Sequence, residues 1–192
     1  MKNKIVCMGD SLTEGYGIDT SCRWSDLLSH DMNIEIINSG ISGDTTAGML
    51  ARFKSMVIDY SPSHVIIMGG TNDLSLNISD EQIIGNILAM TRYARYYDIK
   101  SVIGIPTKVY HNKNILWDSI FLDQDILKKR MEIYRSKLKR FAIEDEWPYI
   151  DFSSGMTSDL YLEDGLHPNE AGHKIMMENA KAVLKNIINI VI

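Results

Sequence analysis

The stretch Lys4–Gly15, KIVCMGDSLTEG, leads from a short apolar run directly into a serine that is surrounded by glycine, acidic and hydroxyl residues. The run Lys4–Met8 predicts a β-strand that begins almost at the first residue. The glycines and the acidic residues that follow predict a turn, which would be sufficient to explain their presence. If the strand is real, Ser11 stands at its carboxyl end.

Four further apolar runs resemble the first, and longer segments with helical periodicity separate them. The predicted strands are Lys4–Met8, Ile34–Ile37, Val65–Met68, Val102–Ile105 and Tyr149–Phe152. The middle runs lack alternation of apolar and polar residues, which is typical of strands buried on both faces. Apolar stripes at helical spacing lie within residues 50–60, 83–94, 127–141 and 175–188. This βαβ order predicts an α/β fold of one domain, residues 1–192: a three-layer α/β/α sandwich around a five-stranded parallel sheet.

Composition and charge exclude several classes of protein. The chain has 192 residues, of which 45% are hydrophobic and 23% charged, and its net charge is -5. Scattered basic residues in an acidic chain argue against a nucleic-acid partner. No apolar window approaches the roughly 18 residues of a membrane span, so stable membrane insertion is not expected. The first apolar run is too short for a signal peptide, which favours a cytoplasmic location.

Polar residues follow four of the predicted strands. They are GDSLTEG after the first strand, NSGISGD (38–44) after the second, GGTND (69–73) after the third and DGLHPN (164–169) after the last. Each motif alone is compatible with an ordinary turn or helix start. In an open parallel sheet, however, all four lie at one edge, where ligands bind. Together they supply a hydroxyl, an imidazole, a carboxylate and several hydrogen-bond donors, as acyl transfer requires.

The chemistry of acyl transfer suggests a role for each residue. A serine is a poor nucleophile until a base takes its proton, and His167 is the best candidate among the five histidines. Asp164, three residues earlier, could orient that imidazole. The backbone N–H groups of Ser11 and Gly43 and the side-chain amide of Asn72 are candidate donors to the developing oxyanion.

These four blocks carry a family resemblance. GDSL around Ser11, SGDTT around Gly43, GGTND around Asn72 and DGLHPN around Asp164 and His167 occur in this order. The chain resembles the GDSL, or SGNH, hydrolase family over residues 5 to about 185, and in particular its compact thioesterase/lysophospholipase/arylesterase branch. The resemblance implies a Ser11, Asp164, His167 triad and an oxyanion hole of Ser11, Gly43 and Asn72. It also implies a flavodoxin-like sheet and no cofactor.

Residues 108–125 form a long connection that holds several apolar and aromatic side chains. We expect Tyr110, Leu116 and Trp117 to form an apolar wall or lid for the acyl chain of a small-molecule ester, because loops of this length are often functional. A loop that only packs its aromatic residues on the sheet edge is the alternative. The sequence leaves the oligomeric state open.

Two other functions remain compatible with parts of the sequence. A carbohydrate O-acetyl esterase would use the same triad and differ in preferring acetyl groups on sugars. A phosphate- or nucleotide-binding α/β module could also use glycine-rich loops at helix N-termini, but the chain contains neither GxGxxG nor GxxxxGK[ST]. No HExxH motif or aspartate cluster accompanies the histidines, so no metal site is expected.

Overall fold

The computed structural model describes residues 4–110 and 123–188. One parallel sheet runs through it in the strand order β2-β1-β3-β4-β5. The strands are β1 (Lys4–Gly9), β2 (Glu35–Gly40), β3 (His64–Met68), β4 (Lys100–Ile105) and β5 (Tyr149–Asp151). All five predicted strands are therefore confirmed, with ends that differ by a few residues.

Helices cover both faces of the sheet. They are α1 (Ser11–Glu14), α2 (Trp24–Met32), α3 (Thr46–Ala51), α4 (Phe53–Met56), α5 (Thr71–Ser75), α6 (Asp80–Tyr96), α7 (Gln124–Glu144) and α8 (Glu170–Ile187). The core against α6 and α7 includes Val6 and Met8 of β1, whereas the core against α2 and α8 includes Ile5 and Cys7. Successive side chains of a strand point to opposite faces. A strand that serves two cores is therefore apolar at every position, and the three-layer sandwich is confirmed.

One predicted helical stripe, within residues 50–60, is not a single helix. It is divided into α3, α4 and a short 3-10 turn at Ile58–Tyr60, and the first break falls at Arg52. The Arg52 side chain turns toward the strand ends, where it donates hydrogen bonds to the carbonyl oxygens of Gly9 and Ser39, each at 2.8 Å. The backbone of Arg52 leaves the helical conformation, with φ of -98° and ψ of 5°, and a periodicity argument shows neither this change nor the long-range contacts.

The strand order creates a crevice at the carboxyl ends of β1 and β3. The chain leaves β1 for β2 on one side and returns to β3 on the other side, so the following connections diverge. Such a topological switch point is the usual ligand site of an open α/β sheet. Gly9 at the end of β1 is paired with Gly40 of β2 and Met68 of β3, so the three loops that follow these strands begin side by side.

Candidate active site

Ser11 is the first residue of α1 and follows β1 after one intervening residue. That residue, Asp10, caps the short helix by accepting a hydrogen bond from the backbone N–H of Leu12 at 3.0 Å. Gly15 ends the helix in the left-handed conformation, with φ of 87°. The turn therefore begins and ends with residues suited to it, and it holds Ser11 at the carboxyl edge of the sheet with 8% of its surface exposed.

The loop before α8 brings an imidazole to this serine. Nε2 of His167 lies 2.9 Å from the Ser11 Oγ, and Nδ1 lies 2.6 Å from Oδ2 of Asp164. The other oxygen of Asp164 accepts hydrogen bonds from the backbone N–H groups of Leu166 and His167, at 2.8 and 2.9 Å. A carboxylate at Nδ1 favours the tautomer in which Nε2 can accept the serine proton. The structure thus brings all three predicted triad residues together.

The ionisation of neighbouring groups favours this arrangement. Burial by itself would raise the pKa of Asp164, but the hydrogen bonds from His167 and Leu166 outweigh it and lower that pKa below its ordinary value of 3.8. Asp164 is therefore ionised at neutral pH. His173 differs: burial lowers its pKa to about 4, and its Nδ1 accepts a hydrogen bond from the Trp24 backbone N–H at 3.1 Å. His173 is a neutral structural acceptor.

Gly43 lies in the loop after β2 in a left-handed conformation, with φ of 78°. Two contacts hold this loop. Nε of Arg52 donates to a carboxylate oxygen of Asp44 at 2.6 Å, and the Ser42 backbone N–H and hydroxyl both donate to the Glu14 carboxylate. Because Glu14 ends the helix that Ser11 begins, the Gly43 loop is tied to the nucleophile turn.

Asn72 belongs to the short helix α5 that follows β3. Its Nδ2 donates to the carbonyl oxygen of Asp44 at 2.9 Å, so Asn72 is joined to the Gly43 loop. The next residue, Asp73, is fully buried and accepts from the Thr46 backbone N–H at 2.9 Å and from the Thr46 hydroxyl at 2.6 Å. Asn72 and Asp73 therefore both bind the chain that follows Gly43, at Asp44 and Thr46, and so keep Gly43 and Asn72 close together.

Tyr110 contacts the loop that carries the triad imidazole. Its backbone N–H donates to the Gly165 carbonyl at 2.7 Å, and its hydroxyl donates to the Met156 carbonyl at 3.1 Å. A Cβ on Gly165 would lie 1.8 Å from the Tyr110 carbonyl oxygen, so only glycine permits this approach. Leu116 and Trp117, the other two predicted substrate contacts, lie outside the described residues.

Sequence reasoning did not assign roles to several residues at this edge. Arg52, Glu14 and Asp73 orient the loops, and their partners are too distant in the chain to be inferred from spacing. Tyr16 lies against His167, with ring centroids 4.4 Å apart. The sequence did offer a signal for Tyr16: an aromatic residue stands between Gly15 and Gly17, in a turn where Gly, Pro, Asn, Asp and Ser are the usual residues.

The site thus holds a hydroxyl, an imidazole and a carboxylate joined by hydrogen bonds, at the switch point of a parallel sheet, and these are the groups that serine hydrolases use. Among residues 4–110 and 123–188, no three His, Cys, Asp or Glu side chains are grouped so as to hold a metal ion. The same residues contain no helix with the length and apolar character needed to cross a membrane.

Comparison with known proteins identifies the family. The model of the GDSL-like Lipase/Acylhydrolase family matches residues 7–175, and the chain belongs to that family, whose members are GDSL-type hydrolases of carboxylic esters. It is 26% identical to esterase TesA of Pseudomonas aeruginosa, over 96% of this chain and 89% of that protein. It is 28% identical to an arylesterase of Vibrio mimicus, over 86% and 80% of the two chains.

A solved structure shares the fold. The lipase/acylhydrolase from Enterococcus faecalis superposes with a TM-score of 0.82 and 24% identity, over 96% of each chain. The flavodoxin-like sheet expected from the sequence is confirmed by the strand order β2-β1-β3-β4-β5.

Proposed function

We propose that this protein hydrolyses small-molecule carboxylic esters, either oxygen esters or thioesters, through Ser11, His167 and Asp164 and a covalent acyl-enzyme. The observation that carries the proposal is the unbroken hydrogen-bonded path from the Ser11 Oγ through the imidazole to Asp164, with distances of 2.9 and 2.6 Å. The names of the relatives, esterase and arylesterase, support the same reaction.

In the acylation half of the cycle, Nε2 of His167 takes the Ser11 hydroxyl proton while Oγ attacks the carbonyl carbon. The carbonyl oxygen becomes an oxyanion, which accepts hydrogen bonds from the backbone N–H groups of Ser11 and Gly43 and from Nδ2 of Asn72. Nδ2 carries two N–H groups. One donates to the Asp44 carbonyl, and the other is left for the oxyanion.

The tetrahedral intermediate then collapses. The bond to the leaving group breaks, and the imidazolium of His167 returns its proton to the departing alkoxide or thiolate. In the second half, the imidazole takes a proton from water, and the resulting hydroxide attacks the acyl carbon. The carboxylic acid departs, and the Ser11 Oγ regains its proton. Asp164, ionised throughout, stabilises the imidazolium in both halves.

We propose that Tyr110, together with Leu116 and Trp117, contacts the acyl chain of the substrate. Its ring lies 4.9 Å from that of Tyr161, centroid to centroid, and its backbone is bonded to the loop that carries His167. An apolar surface built from these residues would favour acyl chains longer than acetyl. An enzyme that prefers acetyl groups on sugars is the alternative with the same triad.

The test is hydrolysis of p-nitrophenyl esters from acetate to palmitate by the wild type, Ser11→Ala and Ser136→Ala. Ser136 is exposed on α7, away from the site, and controls for the loss of a serine hydroxyl. We expect Ser11→Ala alone to lose activity, and intact-mass measurement to detect an acyl adduct on the wild type and on Ser136→Ala but not on Ser11→Ala. The chain-length profile separates the longer-acyl function from the acetyl-esterase alternative. Equal rates in wild type and Ser11→Ala would refute the proposal.

A further inference from the structure

The ring of Tyr16 covers one face of the His167 imidazole. The two ring centroids are 4.4 Å apart, and the ring planes are inclined by 37°. The tyrosine is 52% exposed, so the core does not require it. Its only ring contact among the described residues is this imidazole.

The position of the ring is set by the nucleophile turn itself. The backbone N–H of Tyr16 donates to the Ser11 carbonyl at 3.1 Å. The flanking Gly15 and Gly17 both have positive φ, 87° and 78°, and a Cβ on Gly17 would lie 2.6 Å from Cδ1 of Leu162. The turn is thus packed against the segment that leads to the triad loop, and Tyr16 is held beside the His167 imidazole.

We propose that Tyr16 is a positioning residue that acts through His167: its ring stabilises the imidazolium that forms when Ser11 gives up its proton. The inference rests on the proposed ester hydrolysis. An aromatic face attracts a cation through its quadrupole. The imidazole of His167 is neutral before attack and cationic in the transition state, so the contact strengthens as the reaction proceeds. Only such a differential interaction lowers the barrier.

The other ionisable groups that act on this imidazole are known from the structure. Asp164 is hydrogen-bonded to Nδ1, and two further ionisable groups interact with the imidazole electrostatically: Asp10 beneath the nucleophile turn and His173 on α8, in both of which burial favours the uncharged form. A substitution of Tyr16 leaves all three of these groups in the chain. A change caused by that substitution therefore reports the aromatic ring.

The experiment compares Tyr16→Leu with Tyr16→Phe. Leucine keeps apolar cover over the imidazole without the quadrupole, whereas phenylalanine keeps the ring without the hydroxyl. A cation–π contact at an exposed site corresponds to roughly a two- to fivefold effect on rate. We expect Tyr16→Leu to lose about that factor in kcat/KM and Tyr16→Phe to restore most of it. Tyr96→Leu, on an 81% exposed tyrosine of α6, is the matched control.

The pH dependence separates this role from a structural one. Without the ring the imidazolium is less stable, so the acid limb of kcat/KM in Tyr16→Leu should move to lower pH by about half a unit. An unshifted acid limb, or equal losses in the Leu and Phe variants, would overturn the proposal.

Proton NMR titration of the His167 imidazole gives the same midpoint without turnover, with His167→Gln used to assign the signal. A lower midpoint in Tyr16→Leu supports the contact even if the wild type hydrolyses no ester, in which case the proposed function alone fails. An unchanged midpoint overturns the contact, whatever the activity of the wild type.

Discussion

The buried carboxyl of Asp10 should make the stability of this protein decrease as the pH rises. Asp10 is fully buried, and its Oδ2 has no hydrogen-bond partner among the described residues. Burial raises its pKa from the ordinary 3.8 to about 7, against the opposing hydrogen bond from Leu12. The folded state therefore keeps this proton up to about pH 7, whereas the unfolded chain releases it near 3.8. Stability from this group is complete at low pH and is lost between these values.

The size of the effect follows from the two pKa values. Between pH 5 and pH 8, ionisation of Asp10 should cost the folded state about 2–3 kcal/mol relative to the unfolded chain. In Asp10→Asn the side-chain oxygen can still accept from the Leu12 N–H, but nothing ionises. We therefore expect the free energy of unfolding of the variant, relative to wild type, to rise by about 2–3 kcal/mol from pH 5 to pH 8.

Urea unfolding at the two pH values measures this difference, provided that the slopes of the transitions agree. Contributions from titrating groups that do not interact with Asp10 cancel between wild type and variant. Asp145→Asn, at the exposed end of α7, controls for the aspartate-to-asparagine change itself. If the difference in stability between wild type and Asp10→Asn were the same at both pH values, the carboxyl would not be held protonated by its burial.

Three further outcomes follow from the geometry of the site. Asn72→Ala should lower kcat by about 10²–10³-fold, the usual effect of one oxyanion donor, whereas loss of the hydrogen bond to Asp44 should lower the free energy of unfolding by only about 1 kcal/mol. Steady-state kinetics and urea unfolding measure the two effects, and a kcat within tenfold of wild type would contradict the role of Asn72 as an oxyanion donor. Arg52→Leu removes three hydrogen bonds to Asp44 and the strand ends and should lower the free energy of unfolding by about 3 kcal/mol or more, with an intermediate loss in Arg52→Lys. An unchanged urea midpoint would show that the loop does not need this side chain. Finally, kcat/KM should fall as the pH drops below neutrality, because a protonated His167 cannot take the serine proton. Asp164, with its lowered pKa, stays ionised over this range, and a constant rate from pH 5 to 8 would speak against an imidazole base.

Local patterns made most of the architecture predictable. A strand such as β1 is apolar at every position because Val6 and Ile5 enter different cores, and that continuous pattern is visible without a structure. Turn chemistry is equally local: Asp10 caps α1 by bonding two residues onward. The parallel order of the strands then implies that Ser11, Gly43 and Asn72 share one edge.

Other features required contacts that no local pattern contains. The guanidinium of Arg52 binds the carbonyl oxygens of Gly9 and Ser39, which are 43 and 13 positions away. The raised pKa of Asp10 is caused chiefly by burial, which is a property of the whole packed chain.

Periodicity and turn preferences act over a few residues, so the α/β/α class, the five strands and the residue types at the sheet edge could be predicted from the amino-acid order. The distances on which the chemistry depends are set by tertiary packing. Ser11 and His167 are 156 positions apart, yet their side chains meet at 2.9 Å. The Tyr16 ring reaches the same imidazole only because the nucleophile turn and the triad loop pack together. Such long-range contacts depend on how all the layers pack. A reaction that needs hydrogen-bond distances is therefore possible only after these contacts have formed.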